Sequence, residues 1–185
     1  MSVLQAFIMG NNIDSIVEFG CFAGFSTLLI GYMMKKMQLP KSFVSIDITK
    51  RHCEITQEWT DKAELNEYIK IIEGSSHDPK VIQETIEFLP QKPKLIIIDS
   101  SHQYQQTLNE LNAWFGHLQT GGFIFLHDTS VSAAEYDTTN QGGVNRAFKE
   151  WTKNRENIAS ININPNKYEE PIYFDGTGLG IIQKK

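Results

Sequence analysis

Cysteine is scarce in this chain, and long apolar runs and an excess of positive charge are missing. Its two cysteines, Cys21 and Cys53, cannot supply the disulfide framework of a small secreted domain or the repeated pairs of a zinc site. No apolar run reaches the ~20 residues that span a bilayer, and the N-terminus lacks the pattern of a signal peptide. We therefore expect a cytoplasmic protein with reduced thiols and no membrane partner.

The charge balance also argues against a nucleic-acid partner. A net charge of −5 argues against nucleic-acid binding, because that function calls for a basic patch or stripe. A length of 185 residues without internal repeats or low-complexity segments suits one domain, residues 1–185, with a full sheet and its covering helices.

What the chain does contain is a regular alternation of short apolar runs with segments of helical periodicity. The predicted strands lie at 16–19, 42–47, 68–73, 94–99 and 123–126, with two further β-like runs around 158–163 and 172–182 and turn signals at Asp175-Gly176 and Gly178. Five βα units and a closing hairpin predict an α/β fold. We expect a doubly wound, mostly parallel seven-stranded sheet with helices on both faces and a C-terminal antiparallel hairpin.

Helical spacing predicts which side chains share a face on each connecting helix. Asp78 and Pro79 mark one helix start, as an N-cap acid followed by proline at the first helical position. The predicted apolar faces are Phe25, Leu28, Leu29, Tyr32 and Met33; Ile55, Trp59 and Ala63; and Val144, Ala147, Phe148 and Trp151.

The first predicted strand runs into a loop with two glycines, Glu18-Phe19-Gly20-Cys21-Phe22-Ala23-Gly24-Phe25-Ser26. Glycine lets the backbone turn sharply and approach a ligand closely. The helix that follows would aim its N-terminus at a bound small molecule. The G-x-G-x-x-G fingerprint of dinucleotide-binding proteins is absent. Taken alone, the segment is equally compatible with a tight turn that binds nothing.

This E-F-G-x-x-x-G-x-S pattern resembles motif I of the class I, Rossmann-like S-adenosylmethionine-dependent methyltransferases. A second stretch extends the resemblance, with Asp99-Ser100-Ser101-His102-Gln103-Tyr104, a helix with Trp114, Gly121-Gly122 and His127-Asp128-Thr129. Over residues 98–129 this order is similar to a subgroup of small-molecule O-methyltransferases and cephalosporin-hydroxylase-like proteins. The order of predicted elements also matches that family's seven-stranded fold over nearly the whole chain.

The resemblance implies that S-adenosylmethionine is bound at the carboxyl ends of the strands, where open parallel sheets hold their ligands. The implied cofactor-binding residues are Glu18, Gly20, Cys21, Phe22, Gly24, Ser26, Asp47, Ile48, Ser75, Ser76, Asp99 and Ser100. Asp47 would accept hydrogen bonds from the ribose hydroxyls, or would be a helix-capping or loop acid. Ser75 and Ser76 would flank the adenine ring, or form a polar loop before Asp78. Glu18 would offset the charge of the ligand's amino-acid end.

Methyl transfer also needs a deprotonated acceptor. His102, His127 and Asp128 are expected to face it, with His102 or His127 as general base because imidazole titrates near neutrality. Each histidine is also compatible with a purely structural role. Alternatively, Asp99 and Asp128 would share a divalent cation such as Mg²⁺, which would acidify an acceptor hydroxyl. His127 occupies a position where several relatives carry an acid, a departure from a three-carboxylate Mg²⁺ site.

We therefore expect an enzyme that transfers a methyl group from S-adenosylmethionine to a small molecule, at a hydroxyl oxygen. The alternatives are a nucleotide-dependent enzyme on the same fold and a non-catalytic Rossmann-like binding module. Residues 130–143 are either a lid over the acceptor or a simple long connection. The acceptor pocket is either open or completed by a second subunit, which leaves a homo-oligomer as an alternative.

Overall fold

A computed structural model describes residues 2–164, 166 and 176–185. The helices are α1 (Ser2–Gly10), α2 (Phe25–Lys36), α3 (Lys50–Lys62), α4 (Pro79–Phe88), α5 (Tyr104–Trp114) and α6 (Gly143–Thr152), with a 3₁₀ helix at Ser132–Tyr136. The strands are β1 (Ile16–Phe19), β2 (Phe43–Asp47), β3 (Ile69–Glu73), β4 (Leu95–Ile98), β5 (Phe123–His127), β6 (Ile158–Ile163) and β7 (Leu179–Lys184). None of the helices in these residues is both long enough and apolar enough to cross a membrane.

Within the described residues the strands form a seven-stranded sheet in the order β3-β2-β1-β4-β5-β7-β6. β2 pairs in parallel with β1 and β3, whereas β7 pairs antiparallel with both β5 and β6. The predicted α/β fold, with its mostly parallel sheet and C-terminal antiparallel hairpin, is confirmed. The last predicted run began at residue 172, and its first part, including Asp175, lies outside the described residues.

The chain divides into two compact units, residues 1–95 and residues 96–185. The N-terminal unit holds β1 to β3 with α1 to α4, and the C-terminal unit holds β5 to β7 with α5 and α6. A single domain over residues 1–185 stays a prediction.

In the N-terminal unit, β1 and β2 are buried at every residue, as expected of strands covered on both faces. The predicted apolar face of α2 is wrong for Phe25 and Tyr32, which are 75% and 50% exposed, whereas Met33 is buried as predicted. The residues that the helix buries are Thr27, Ile30, Gly31, Met33 and Met34. A Cβ at Gly31 would lie 2.1 Å from Cδ1 of Ile69, so glycine is what lets α2 approach β3 this closely.

Helix α3 departs from its predicted face in the same way. It buries Cys53, Thr56 and Thr60, while Trp59 is half exposed beneath the ammonium group of Lys62. A criterion that counts large apolar side chains overlooks a contact made by small ones. The start of α4, in contrast, is as predicted, with the Asp78 carboxylate accepting the Lys80 N–H at 2.8 Å.

In the C-terminal unit the predicted face of α6 is confirmed, since Val144, Ala147, Phe148 and Trp151 are all buried. Gly180 on β7 makes room for this face, because a Cβ there would lie 2.8 Å from two ring carbons of Phe148.

Candidate active site

The glycine loop joins β1 to α2 through left-handed backbone at Gly20 (φ 92°) and Gly24 (φ 83°). At Gly24 a Cβ would also lie 3.1 Å from both Cγ2 and Oγ1 of Thr56, so α3 packs directly on the loop. Phe22 is left-handed too (φ 45°), and its exposed ring meets the edge of the His52 ring at 5.1 Å. The strand–loop–helix arrangement predicted from the sequence is therefore present, with glycine required at position 24.

Asp47, at the end of β2, fixes the position of this loop through hydrogen bonds. Its Oδ2 accepts the backbone N–H groups of Cys21 (3.1 Å) and Phe22 (3.2 Å), and its Oδ1 accepts that of Thr49 (2.8 Å). Nδ1 of His52 lies 3.3 Å from both oxygens. Burial raises the pKa of the Asp47 carboxyl, but these donors and His52 outweigh it and hold the pKa below its usual value. Asp47 is thus an ionised acid that fixes both the loop and the start of α3.

Glu18 is a buried carboxylate in the middle of the N-terminal unit. Hydroxyl groups of Thr27 on α2 and Ser45 on β2 donate to its Oε2 at 2.5 and 2.6 Å. Ser45 is the register partner of Glu18 in the parallel β1–β2 pair. Neither partner was predicted from the sequence, although a serine inside an apolar strand, opposite an acid, was a usable signal.

The other predicted cofactor residues of this unit differ in what their side chains do. Ser75 Oγ lies 3.1 Å from Nδ1 of His77, Ser76 is buried and Ile48 is exposed. Cys21 and Cys53 are free and buried, and burial raises the pKa of the Cys21 thiol to about 12. A protonated, buried thiol is a packing group and not a nucleophile.

A second set of predicted residues meets in the C-terminal unit. Asp99 follows β4, His102 lies in the loop before α5, and His127 and Asp128 stand at the end of β5. Nδ1 of His102 lies 2.5 Å from Oδ2 of Asp128. Nδ1 of His127 lies 3.2 Å from Oδ1 of Asp128 and 3.5 Å from Oδ1 of Asp99. We call these four residues the His–Asp cluster.

The electrostatics of the His–Asp cluster centre on Asp128, which is only 3% exposed. Burial raises the pKa of the Asp128 carboxyl, yet the hydrogen bonds from His102 and His127 outweigh it and hold the pKa well below its usual range. The same bond to Asp128 raises the pKa of His102 above its ordinary value, against the opposing effect of burial. The pair therefore joins a buried carboxylate to an imidazole that holds its proton more firmly than a free one.

The backbone beneath this pair is strained. His102 (φ 58°) and Asp128 (φ 60°) both adopt the left-handed conformation, which costs of order 1–3 kcal/mol per residue and tends to occur at functional sites. Neighbouring contacts hold it in place. Thr129 N–H donates to the carbonyl of Gly178, and the side-chain amide of Asn145 donates to the carbonyl of Thr129 at 2.6 Å.

Residues 130–143 form an ordered element that supports His102. The Tyr136 ring lies 5.8 Å from the His102 ring, edge to face, and a Cβ at Gly143 would meet the His102 carbonyl oxygen at 3.0 Å. Asp137 organises the segment, because its buried carboxylate accepts the N–H groups of Thr139, Gln141 and Gly143. Burial raises the pKa of Asp137, but hydrogen bonds from the hydroxyl and N–H groups of Thr139 and from the N–H groups of Gly143 and Tyr104 lower it to about 2.

No role was predicted for Asp137 or Tyr136, because their partners are backbone groups and a ring that only the folded loop brings together. Nor was one predicted for Glu110, a fully buried acid on α5 that accepts a hydrogen bond from Ser100 Oγ at 3.0 Å. Its position on the buried face of α5, next to Leu111, was a signal. A lid function for residues 130–143 stays a prediction.

Residues 17–129 match a family model described as a methyltransferase domain. The match covers more than half of the chain, and the chain belongs to this methyltransferase family. Curated protein sequences gave no significant match to it.

Solved structures share the fold at low sequence identity. An O-methyltransferase from Bacillus cereus, in complex with S-adenosylhomocysteine, is 16% identical with a TM-score of 0.73, over 99% of this chain and 79% of that one. The O-methyltransferase TomG from Streptomyces achromogenes, in complex with S-adenosylmethionine, is 15% identical with a TM-score of 0.73, over 98% and 78%. A methyltransferase from Podospora anserina with S-adenosylhomocysteine bound is 16% identical with a TM-score of 0.73, over 100% and 77%. The predicted membership of the class I S-adenosylmethionine-dependent methyltransferases is confirmed by the family match and the fold.

Proposed function

We propose that this protein transfers a methyl group from S-adenosylmethionine to a hydroxyl oxygen of a small-molecule acceptor. The observation that carries the proposal is the hydrogen-bonded pair of His102 and the buried Asp128, inside a methyltransferase domain. The neighbours from Bacillus cereus and Streptomyces achromogenes hold S-adenosylhomocysteine and S-adenosylmethionine, which supports the same cofactor here.

Cofactor binding would draw mainly on the N-terminal unit. Gly20 and Gly24 leave the loop backbone open to close approach, and α2 begins directly after Gly24. Asp47 has about four lone-pair sites on its two oxygens, already accepts three backbone N–H groups and has Nδ1 of His52 3.3 Å from both oxygens. A ribose diol would therefore share this carboxylate with the loop, which couples cofactor binding to loop geometry. The cofactor-binding residues we propose are those predicted from the sequence, Glu18, Gly20, Cys21, Phe22, Gly24, Ser26, Asp47, Ile48, Ser75, Ser76, Asp99 and Ser100.

In the reaction, His102 would act as general base. Its Nδ1 faces Asp128, so Nε2 is the ring nitrogen left for the acceptor hydroxyl, and its side chain is one-third exposed (34%). As the oxygen attacks the methyl carbon in line, the carbon–sulfur bond breaks and S-adenosylhomocysteine leaves as a neutral thioether. The hydroxyl proton passes to His102, and the Asp128 carboxylate stabilises the resulting imidazolium.

Metal assistance is a second form of the proposal, favoured by one observation. Ligand atoms of Asp99, His102 and Asp128 lie within 4.8 Å of one another, so these residues have the spacing of a cation site. A bound divalent cation would lower the pKa of the acceptor hydroxyl. His102 would then be a ligand, and deprotonation would not depend on it as a base.

We also propose a single domain over residues 1–185, a cytoplasmic location and a small-molecule acceptor. The net charge of −5 supports an acceptor other than a nucleic acid. The acceptor pocket is either open or completed by a second subunit of a homo-oligomer.

The test is methyl transfer from isotopically labelled S-adenosylmethionine to a panel of phenols, sugars and hydroxy acids, followed by mass spectrometry of product and S-adenosylhomocysteine. We expect turnover with at least one hydroxyl acceptor, and its loss in His102→Gln. His117→Gln is the matched control, since His117 stands outside the His–Asp cluster, against the Trp114 ring. Binding of S-adenosylhomocysteine without turnover on any acceptor would instead favour a binding module.

A further inference from the structure

We propose that Asp137 is a positioning residue for His102, whose loop it holds against the segment that follows β5 through a single buried carboxylate. The inference rests on the role of His102 in the proposed function. It goes beyond that function because it assigns a part in the reaction to a residue outside the His–Asp cluster.

Two helices begin at the same oxygen of this carboxylate. Oδ2 of Asp137 accepts the N–H of Tyr104, the first residue of α5, at 3.5 Å and the N–H of Gly143, the first residue of α6, at 2.9 Å. The first N–H groups of a helix have no partner within the helix, and an anion beside them is favourable. One ionised oxygen therefore fixes the start of α5 relative to the start of α6, and His102 lies two residues before Tyr104.

Neighbouring residues of the same segment contact the His102 loop directly. The Tyr136 ring lies 5.8 Å from the His102 ring, and the side-chain amide of Gln103 donates to Oγ1 of Thr138 at 3.1 Å. Gly143 packs on the carbonyl of His102, whose oxygen would lie 3.0 Å from a Cβ at that position. These contacts surround the hydrogen bonds of the carboxylate, so the loop is held at several points by one short segment.

His102 needs this support because its backbone is left-handed, with a φ of 58°. That conformation is unfavourable for a residue with a side chain, and it persists only where tertiary contacts hold it. The backbone carries the imidazole ring, whose Nδ1 lies 2.5 Å from Oδ2 of Asp128. A loop that relaxed towards ordinary backbone angles would move Nδ1 away from Asp128. We therefore expect loss of Asp137 to act on the reaction through His102.

The hydrogen bonds of Asp137 require an acceptor at both of its oxygens. Oδ1 accepts the N–H and the hydroxyl of Thr139, at 2.8 and 2.5 Å, and Oδ2 accepts the N–H groups of Tyr104, Gln141 and Gly143. Asparagine has the same shape, but an NH₂ group replaces one of the two oxygens. Whichever way that amide is turned, a donor faces donors. Asp137→Asn therefore loosens the loop without changing the size of the side chain.

The experiment is proton nuclear magnetic resonance of the full-length protein in water, with EDTA present so that no cation competes for the ring nitrogens. The strong hydrogen bond to Asp128 should place the Nδ1 proton of His102 far downfield, and His102→Gln assigns this resonance by removing it. In Asp137→Asn we expect the resonance to move upfield and to broaden through faster exchange with water. Thr139→Val, which removes only a hydroxyl donor, should move it in the same direction by less, and it provides the test if Asp137→Asn does not fold.

Gly121→Ala is the matched control. Gly121 lies in the same unit as His102, and its alanine variant loses stability through left-handed backbone of its own (φ 81°), with nothing within 4 Å of the new Cβ. It should leave the downfield resonance unchanged. With an acceptor from the panel, Asp137→Asn should lower kcat by about ten- to hundredfold at nearly unchanged KM for S-adenosylmethionine, as expected of a small misplacement of a reacting group. Gly121→Ala should keep the wild-type kcat.

An unchanged resonance in folded Asp137→Asn, or an equal displacement in Gly121→Ala, would overturn the inference. So would absence of the resonance from the wild-type protein, because there would then be no bond between His102 and Asp128 to position. The spectroscopic readout is independent of turnover. A displaced resonance in a protein that methylates no acceptor would support the inference while the proposed function fails, and methyl transfer with full kcat and an unchanged resonance in Asp137→Asn would do the reverse.

Discussion

The glycine loop offers a test in which backbone strain and packing can be separated. We predict that Gly24→Ala lowers the free energy of unfolding by about 2–5 kcal/mol. An alanine in left-handed backbone costs roughly 1–2 kcal/mol, and Gly24 has a φ of 83°. The new Cβ would also lie 3.1 Å from Cγ2 and Oγ1 of Thr56, and overpacking of this kind adds roughly 1–3 kcal/mol.

Gly121→Ala is the matched control for this substitution. Gly121 has nearly the same conformation (φ 81°), but a Cβ there would meet nothing within 4 Å. It should therefore show only the loss of about 1–2 kcal/mol that the conformation explains. Adding Thr56→Ala to Gly24→Ala should recover the packing part, a coupling of about 1 kcal/mol in a double-mutant cycle.

The five proteins, which are the wild type, Gly24→Ala, Thr56→Ala, the double variant and Gly121→Ala, are compared by urea denaturation followed by far-ultraviolet circular dichroism. Equal losses in Gly24→Ala and Gly121→Ala, with no coupling to Thr56, would refute the idea that α3 requires glycine at this position. If loop geometry also sets cofactor affinity, Gly24→Ala should weaken S-adenosylhomocysteine binding while Gly121→Ala leaves it unchanged.

Three further predictions concern packing and buried charge. Asp137→Asn should lower the free energy of unfolding by about 2 kcal/mol at pH 7, in line with the loss of hydrogen bonds to a charged group. The folded pKa of Asp137 lies at about 2, below the unfolded value, so its contribution to stability is complete above about pH 4 and is lost between about pH 4 and pH 2. Urea denaturation should therefore show the stabilities of the variant and the wild type converging as the pH falls through that window. Gly31→Ala should lower the thermal midpoint through its clash with Ile69. Because Ile69 is buried, Ile69→Ala is destabilising as well, but the double variant should lose less than the sum of the two single losses. An unchanged midpoint in Gly31→Ala would contradict the close approach of α2 to β3. Ser45→Ala should cost about 1–3 kcal/mol by removing a donor from the buried Glu18, and a neutral result in denaturation would mean that other donors suffice.

The polar residues at the strand ends were the part of the candidate site that the sequence predicted best. Because β5 is an uninterrupted apolar run in the sequence that stops at His127, its polar end is predictable from the sequence alone, and so is the position of Asp99 after β4. The meeting of these residues with His102 follows from parallel topology, which the strand–helix alternation had already predicted.

The features that were not predicted, which are the buried faces of two helices and two left-handed residues, depend on small side chains or on the backbone. Gly31 lies on the buried face of α2 and Thr56 on that of α3, and neither position is predicted by the spacing of large apolar residues. Aspartate and histidine adopt left-handed backbone more readily than most residues, but nothing in the local sequence predicts it at His102 and Asp128. Such features arise from tertiary contacts that hold a strained conformation in place.

The most direct test of the methyltransferase proposal is calorimetric titration of the purified protein with S-adenosylhomocysteine, with NAD⁺ and NADH titrated in parallel and Asp47→Ala compared after its fold is verified by circular dichroism. We predict micromolar binding of S-adenosylhomocysteine, weakened at least about tenfold (~1.4 kcal/mol) in Asp47→Ala. No binding of S-adenosylhomocysteine, or tighter binding of NAD⁺ or NADH, would contradict the proposal and favour a nucleotide-dependent enzyme or another ligand on this fold.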